Sequence, residues 1–121
     1  MCNILIIEDH IALRSVMVLS LTNKGSSVWE AENGPQAMKL INDSTIIFDI
    51  IISDLKLTKG NGKEVCKEAK NKRPNTKTLL FTGSTIDEKE LLADPHIDNV
   101  LLKPAGLSEL KATIIETLER R

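Results

Sequence analysis

Thiols, histidines and long apolar runs are all scarce in this chain of 121 residues. The two cysteines, Cys2 and Cys66, have no Cys or His partner at metal-ligand spacing. They read as reduced thiols, Cys66 on a helix face toward the core. The only histidines are His10 and His96, too few for a His-rich metal site or a Ser-His-Asp triad. No apolar stretch approaches the roughly 18 to 20 residues of a membrane helix. The run that follows Met1 is too short for a secretory signal and ends in Glu8-Asp9, so a soluble, cytoplasmic protein is expected. Charge of one sign is missing as well: 16 Lys and Arg oppose 17 Asp and Glu, which leaves no overall field toward nucleic acid or anionic lipid. There is no Gly-x-Gly-x-x-Gly. Function must therefore reside in local groups.

What the chain does contain is a regular alternation. Residues 3–7 form a short apolar run. Ile11, Leu13, Val16, Met17 and Leu21 follow at helical spacing, with Asn23, Lys24 and Gly25 as a stop. Residues 27–31 alternate like a second strand up to the Asn33-Gly34-Pro35 turn. Pro35 then opens a helix whose Ala37, Met38, Leu40 and Ile41 face inward. Ile50, Ile51 and Ile52 are β-branched without alternation, as suits a central parallel strand buried on both faces. A helix from about Gly62 to Lys72 carries Val65, Cys66 and Ala69 as its apolar stripe, and Pro74 ends it. Residues 78–82 form a fourth strand leading into Gly83-Ser84-Thr85, and a short acidic helix spans 87–93. Residues 100–102 form a fifth strand, directly followed by Lys103-Pro104. Leu107, Leu110, Ile114 and Leu118 mark the inner face of the last helix. Five strands alternating with five helices define one α/β domain, residues 1–121, with a five-stranded parallel sheet.

Such a sheet gathers the C-terminal ends of its strands on one edge, where open α/β sheets hold their chemistry. At that edge stand Glu8 and Asp9 after the first strand, Asp54 after the third, Thr82 after the fourth and Lys103 after the fifth. Taken singly, each has an ordinary role available. Asp9 could cap the first helix, Thr82 could be a β-branched strand residue, Lys103 could be a solvated lysine before a proline, and Asp54 could start a turn. Taken together, three carboxylates repel unless a cation neutralises them. Lys103 supplies one charge. Clustered oxygen donors without sulfur or imidazole describe a hard-cation site, Mg2+ with several waters kept. A divalent ion, a lysine and a threonine hydroxyl around Asp54 would stabilise a phosphoryl group while that carboxylate attacks it, giving an aspartyl phosphate.

On these residues, Glu8-Asp9, Asp54, Gly62 eight positions later, Thr82 and Lys103-Pro104, the chain resembles from end to end the receiver domain of two-component response regulators. The resemblance implies a flavodoxin-like doubly wound (βα)5 fold with strand order 2-1-3-4-5. It implies that Asp54 accepts a phosphoryl group from a phosphohistidine on a histidine kinase or histidine phosphotransfer protein. Asp9 would be the direct Mg2+ ligand with Asp54, Glu8 would act through water, and Lys56 would contribute its main-chain carbonyl. Thr82 would be the switch hydroxyl and Lys103 the ion-pair partner of the acceptor. Such a domain is a signalling phosphoacceptor with no enzymatic role beyond its own phosphotransfer and dephosphorylation. Its downstream partner would be a protein docking on the face of the fourth helix, fifth strand and fifth helix, with homodimerisation as an option and no direct contact with nucleic acid or membrane.

Departures from the family pattern bear on the switch. Leu57-Thr58 replaces the usual Met-Pro, which makes the loop less stiff, and Lys56 occupies a position from which its ammonium can reach over the acceptor. Val100 stands where the family has a rotating aromatic, and Ala105 replaces the aromatic after Lys-Pro. His10 reads as a helix-start residue and Trp29 as packing. Three other classes compete. A flavin or nucleotide binder conflicts with Glu8-Asp9, which would repel phosphate. An aspartate-nucleophile phosphatase lacks its second Asp, Lys56 standing there. A receiver-like interaction module that is never phosphorylated is kept open by Val100 and Thr58, while the intact Asp9, Asp54, Thr82 and Lys103 argue against it. Because the chain ends with its fifth helix, the expectation is a receiver without an output domain, either stand-alone or the first part of a larger regulator.

Overall fold

The computed structural model describes residues 2–23, 25–83 and 88–120. Ten elements alternate along the chain: β1 (Cys2–Ile7), α1 (Ile11–Leu21), β2 (Ser26–Ala31), α2 (Gly34–Ile41), β3 (Ile50–Ser53), α3 (Gly62–Lys72), β4 (Lys77–Thr82), α4 (Glu88–Leu92), β5 (Asn99–Leu102) and α5 (Leu107–Glu119). All strand pairings are parallel, in the order β2-β1-β3-β4-β5. This is the doubly wound arrangement expected of the sequence.

The central strands carry unbroken apolar runs, Ile4–Ile7, Ile50–Ile52 and Leu79–Phe81, because both faces of the sheet are covered. Alternate side chains go to opposite layers. Ile4, Ile6, Ile50, Ile52, Leu79 and Phe81 pack with Met17, Leu21, Leu110 and Ile114 of α1 and α5. Leu5, Ile7 and Ile51 pack with Ala37, Ile41, Val65 and Ala69 of α2 and α3. Cys66 belongs to a third cluster with Leu55, Leu80, Leu91, Ile97 and Val100. Trp29 packs edge-to-face on Phe48, with ring centroids 5.4 Å apart, in keeping with a packing role.

The starts of α1, α2 and α3 are set by side-chain caps, whereas Gly106, the N-cap of α5, supplies none. The Nδ1 of His10 accepts from the Leu13 N–H, so His10 and not Asp9 caps α1. Asn33 and Asn61 cap α2 and α3 through the N–H groups of Gln36 and Glu64. Two parts of the helical patterning differ from expectation. Ile11 and Val16 of α1 are 67% and 45% exposed, because only the stripe through Met17 and Leu21 meets the sheet. Leu107 is 39% exposed, since α5 first touches the sheet one turn later at Leu110. α1 ends at Leu21 with Thr22 as its C-cap, directly before Asn23, where the stop is expected. Lys24, Ser84, Thr85 and Asp87, which carried parts of the expected turns and of the start of α4, lie outside the described residues.

Candidate functional site

The sheet register brings the expected polar residues to one edge. Ile7 pairs with Ser53, and the Asp54 N–H extends that ladder by donating to the Ile7 carbonyl at 3.1 Å. Glu8 donates its N–H to the Ala31 carbonyl at 3.1 Å, and Lys103 donates its own to the Thr82 carbonyl at 2.9 Å. Glu8, Asp54 and Lys103 thus leave their strands as continuations of parallel ladders, with directions fixed by main-chain bonds.

Their side chains converge. The Lys103 ammonium donates to Glu8 Oε1 at 2.7 Å and to Asp54 Oδ2 at 3.0 Å, and it lies 5.3 Å from the centroid of the buried Phe81 ring. Burial alone would make Lys103 easier to deprotonate. The hydrogen bonds and charges of Glu8 and Asp54 outweigh it and hold the ammonium above the usual lysine range. Glu8 is only 3% exposed, and its other oxygen accepts the His10 N–H at 3.1 Å. Carboxylate oxygens of Glu8, Asp9 and Asp54 all lie within 4.8 Å of one another. With all three ionised, three negative charges against one ammonium leave two, the charge a divalent cation would balance. The donors are oxygens only, and Asp9 and Asp54 are partly open to solvent. That set suits a hard cation that keeps part of its water.

Asp9 is held differently. Lys103 does not reach it. Instead the Thr58 hydroxyl donates to Asp9 Oδ2 at 2.9 Å. Partial burial would raise the Asp9 pKa, but the Thr58 hydroxyl and nearby main-chain N–H groups hold the carboxyl below the usual aspartate range. Thr82 ends β4 and is buried beside the main chain of Lys103. Lys56 is exposed. Its backbone bridges to Asn61 across the β3–α3 loop, and its ammonium makes no ion pair with Asp54 among the described residues.

Gly62 shows why the first residue of α3 lacks a side chain. A Cβ there would sit 2.4 Å from the Asp54 carbonyl oxygen and 2.8 Å from Leu80 Cδ2. The helix therefore starts directly against the backbone of the acceptor candidate, and the Gly62 N–H donates to the Leu55 carbonyl at 2.8 Å. Two participants escaped sequence reasoning. Arg14 on α1 donates to the Glu8 carbonyl at 2.7 Å and pairs with Glu30 of β2 at 3.0 Å, fixing the turn that carries the acidic pair. Its only signal was being the single charged residue of α1. Thr58 was noticed for the stiffness of its loop, but nothing local ties its hydroxyl to a residue 49 positions earlier.

A parallel 2-1-3-4-5 sheet with an acidic pair, an aspartate and a lysine at its C-terminal edge defines a receiver-type α/β domain. The family model described as "Response regulator receiver domain" matches residues 4–115. The chain belongs to that family, the receiver domains of two-component systems. It is 35% identical over 120 residues to the uncharacterized transcriptional regulatory protein YrkP of Bacillus subtilis (strain 168), covering 97% of this chain and 49% of that protein. It is 32% identical over 120 residues to the KDP operon transcriptional regulatory protein KdpE of Escherichia coli (strain K12), covering 99% and 52%. The chain thus spans about half the length of these relatives. Among solved structures, the response regulator protein TrrA of Thermotoga maritima, in complex with Mg2+-BeF, superposes with a TM-score of 0.81 at 26% identity, covering 97% of this chain and 99% of that one. Among the described residues, no helix is long and apolar enough to cross a membrane.

Proposed function

We propose that Asp54 is the phosphoacceptor of a two-component phosphorelay. The observation that carries this is the Asp54 carboxylate itself. Oδ2 is taken up by Lys103, the acidic partners Glu8 and Asp9 lie within one cation's reach, and no hydrogen bond among the described residues goes to the other oxygen. In the step proposed, the other oxygen attacks the phosphorus of a phosphohistidine. A P–O bond forms, the P–N bond breaks, and its electron pair stays with the departing imidazole of the donor.

Asp9 and Asp54 would hold Mg2+ directly, with Glu8 acting through water and the Lys56 carbonyl as a further ligand. When bound, the ion neutralises charge on the phosphoryl oxygens. Lys103 stays by the acceptor and balances the acyl phosphate, and Thr82 serves as the hydroxyl that follows the phosphoryl group. The relative TrrA, whose structure holds Mg2+-BeF, supports this choice of ion for a chain of the same family. The phosphodonor is a histidine kinase or histidine phosphotransfer protein, and the output is a changed protein contact at α4, β5 and α5. Val100 is a buried valine, 6% exposed, so this face works without a swinging ring.

The test is incubation with acetyl phosphate, with and without Mg2+, followed by intact mass measurement of the wild type and Asp54→Ala. One phosphoryl group gained only with Mg2+, and only by the wild type, supports the proposal. A wild type that stays unmodified while folded would favour the interaction-module alternative.

A further inference from the structure

We propose that Thr58 is a positioning residue that orients Asp9 for the divalent cation and so sets the cation affinity of the acidic pocket. This rests on the assignment of Glu8, Asp9 and Asp54 as the Mg2+ site. The three carboxylates are not held alike. Glu8 has both oxygens engaged, by Lys103 and by the His10 N–H, and Asp54 has one engaged by Lys103. Asp9 receives nothing from Lys103, and its side-chain donor is the Thr58 hydroxyl at 2.9 Å on Oδ2. One oxygen is thereby turned to the loop and the other left for a ligand.

The loop that presents Thr58 is tied down on several sides. Lys56 bridges to Asn61 across its base, and Gly60 takes a positive φ of 79° to close it. The Lys59 carbonyl accepts the Gly34 N–H at 2.9 Å, and a Cβ on Gly34 would come within 2.9 Å of that same oxygen. The loop next to the acceptor therefore rests on the start of α2, with Thr58 between two anchored ends. Threonine is stiff at χ1, so its hydroxyl is pre-placed in a way a longer polar side chain would not be. Fixing the Asp9 carboxylate before the cation arrives removes the entropy loss of ordering it on binding, which is how hydrogen-bonded outer partners strengthen metal ligands.

The test is calorimetric titration of the folded protein with MgCl2 alone, on the wild type, Thr58→Val and Thr58→Ser. Losing such a partner on an exposed loop should weaken Mg2+ binding about tenfold in the valine variant, the lower end of the range for outer-shell partners. Serine, which keeps the hydroxyl, should recover most of it. The urea midpoint of all three without Mg2+ should agree closely, which separates orientation of Asp9 from general damage. Equal or tighter Mg2+ binding by Thr58→Val would overturn the proposal for Thr58 and leave the metal assignment standing. Absence of Mg2+ binding by the folded wild type would overturn both.

Discussion

Replacing Lys103 by methionine keeps the apolar stem against Phe81 and removes the ammonium. The structure then loses the contacts at 2.7 Å to Glu8 and 3.0 Å to Asp54. Glu8 suffers most, because its side chain is 4% exposed against 16% for Asp54. Breaking a buried pair by removing one partner costs about 3–5 kcal/mol. Asp54 lies nearer solvent, which lowers the cost on its side, so a loss of about 2–4 kcal/mol at neutral pH in EDTA is expected. For a domain of this size that is roughly 8–16 °C in Tm.

Two dependences distinguish this cause from lost packing. Glu8 and Asp54 hold the Lys103 ammonium above the usual lysine range in the folded wild type, which contributes stability that is lost as the pH rises through that range, so the deficit should shrink at alkaline pH. Millimolar Mg2+ should also recover more stability in Lys103→Met than in the wild type, because a ligand that binds only the folded state stabilises it by mass action and the variant pocket holds one more uncompensated charge. Thermal melts in EDTA from about pH 7 to 11, and in MgCl2 at neutral pH, provide the data. A variant as stable as the wild type in EDTA, or a deficit indifferent to both pH and Mg2+, would refute this account of Lys103.

Two further predictions concern the frame of the site. Gly62→Ala places a Cβ 2.4 Å from the Asp54 carbonyl, a contact that cannot relax without moving the Asp54 backbone, so urea unfolding should show a loss of about 3 kcal/mol. A midpoint equal to the wild type would mean that α3 does not start against the strand end. Burial pushes the Cys66 thiol up to about 12, from an ordinary value of 9.0. The folded state keeps that proton while the unfolded chain gives it up. Stability should therefore fall between about pH 9 and pH 12 by about 1.4 kcal/mol per pH unit more than in Cys66→Ala, read from urea unfolding across that range. Identical slopes in the two proteins would contradict it.

Much of the site could be read along the chain because it lies at strand ends. Ile50–Ile52 marked a doubly buried strand, and the charged residue closing each apolar run, Glu8, Asp54 or Lys103, had to emerge at the same edge of a parallel sheet. Contacts between loops were not legible. The Thr58 hydroxyl reaches Asp9, and the Gly34 N–H reaches Lys59, only because the β3–α3 loop folds back over two other turns, and no local spacing encodes that path. Helix faces were legible only in part. Ile11, Val16 and Leu19 of α1 are apolar at helical spacing yet exposed, since apolar character on every side of a helix does not say which side meets the sheet. The cap of α1 was ambiguous for a related reason. Asp9 and His10 can both accept from the first turn, and Asp9 is drawn away toward Thr58.

The central claim is that one particular carboxylate carries the phosphoryl group. Reduction of acetyl phosphate-treated protein with borohydride converts an acyl phosphate of aspartate to homoserine, and peptide mass mapping then locates it. Homoserine at position 54 alone, formed only when Mg2+ was present, is the predicted result. Homoserine at position 9 or elsewhere, or none in protein shown to be folded, would contradict it.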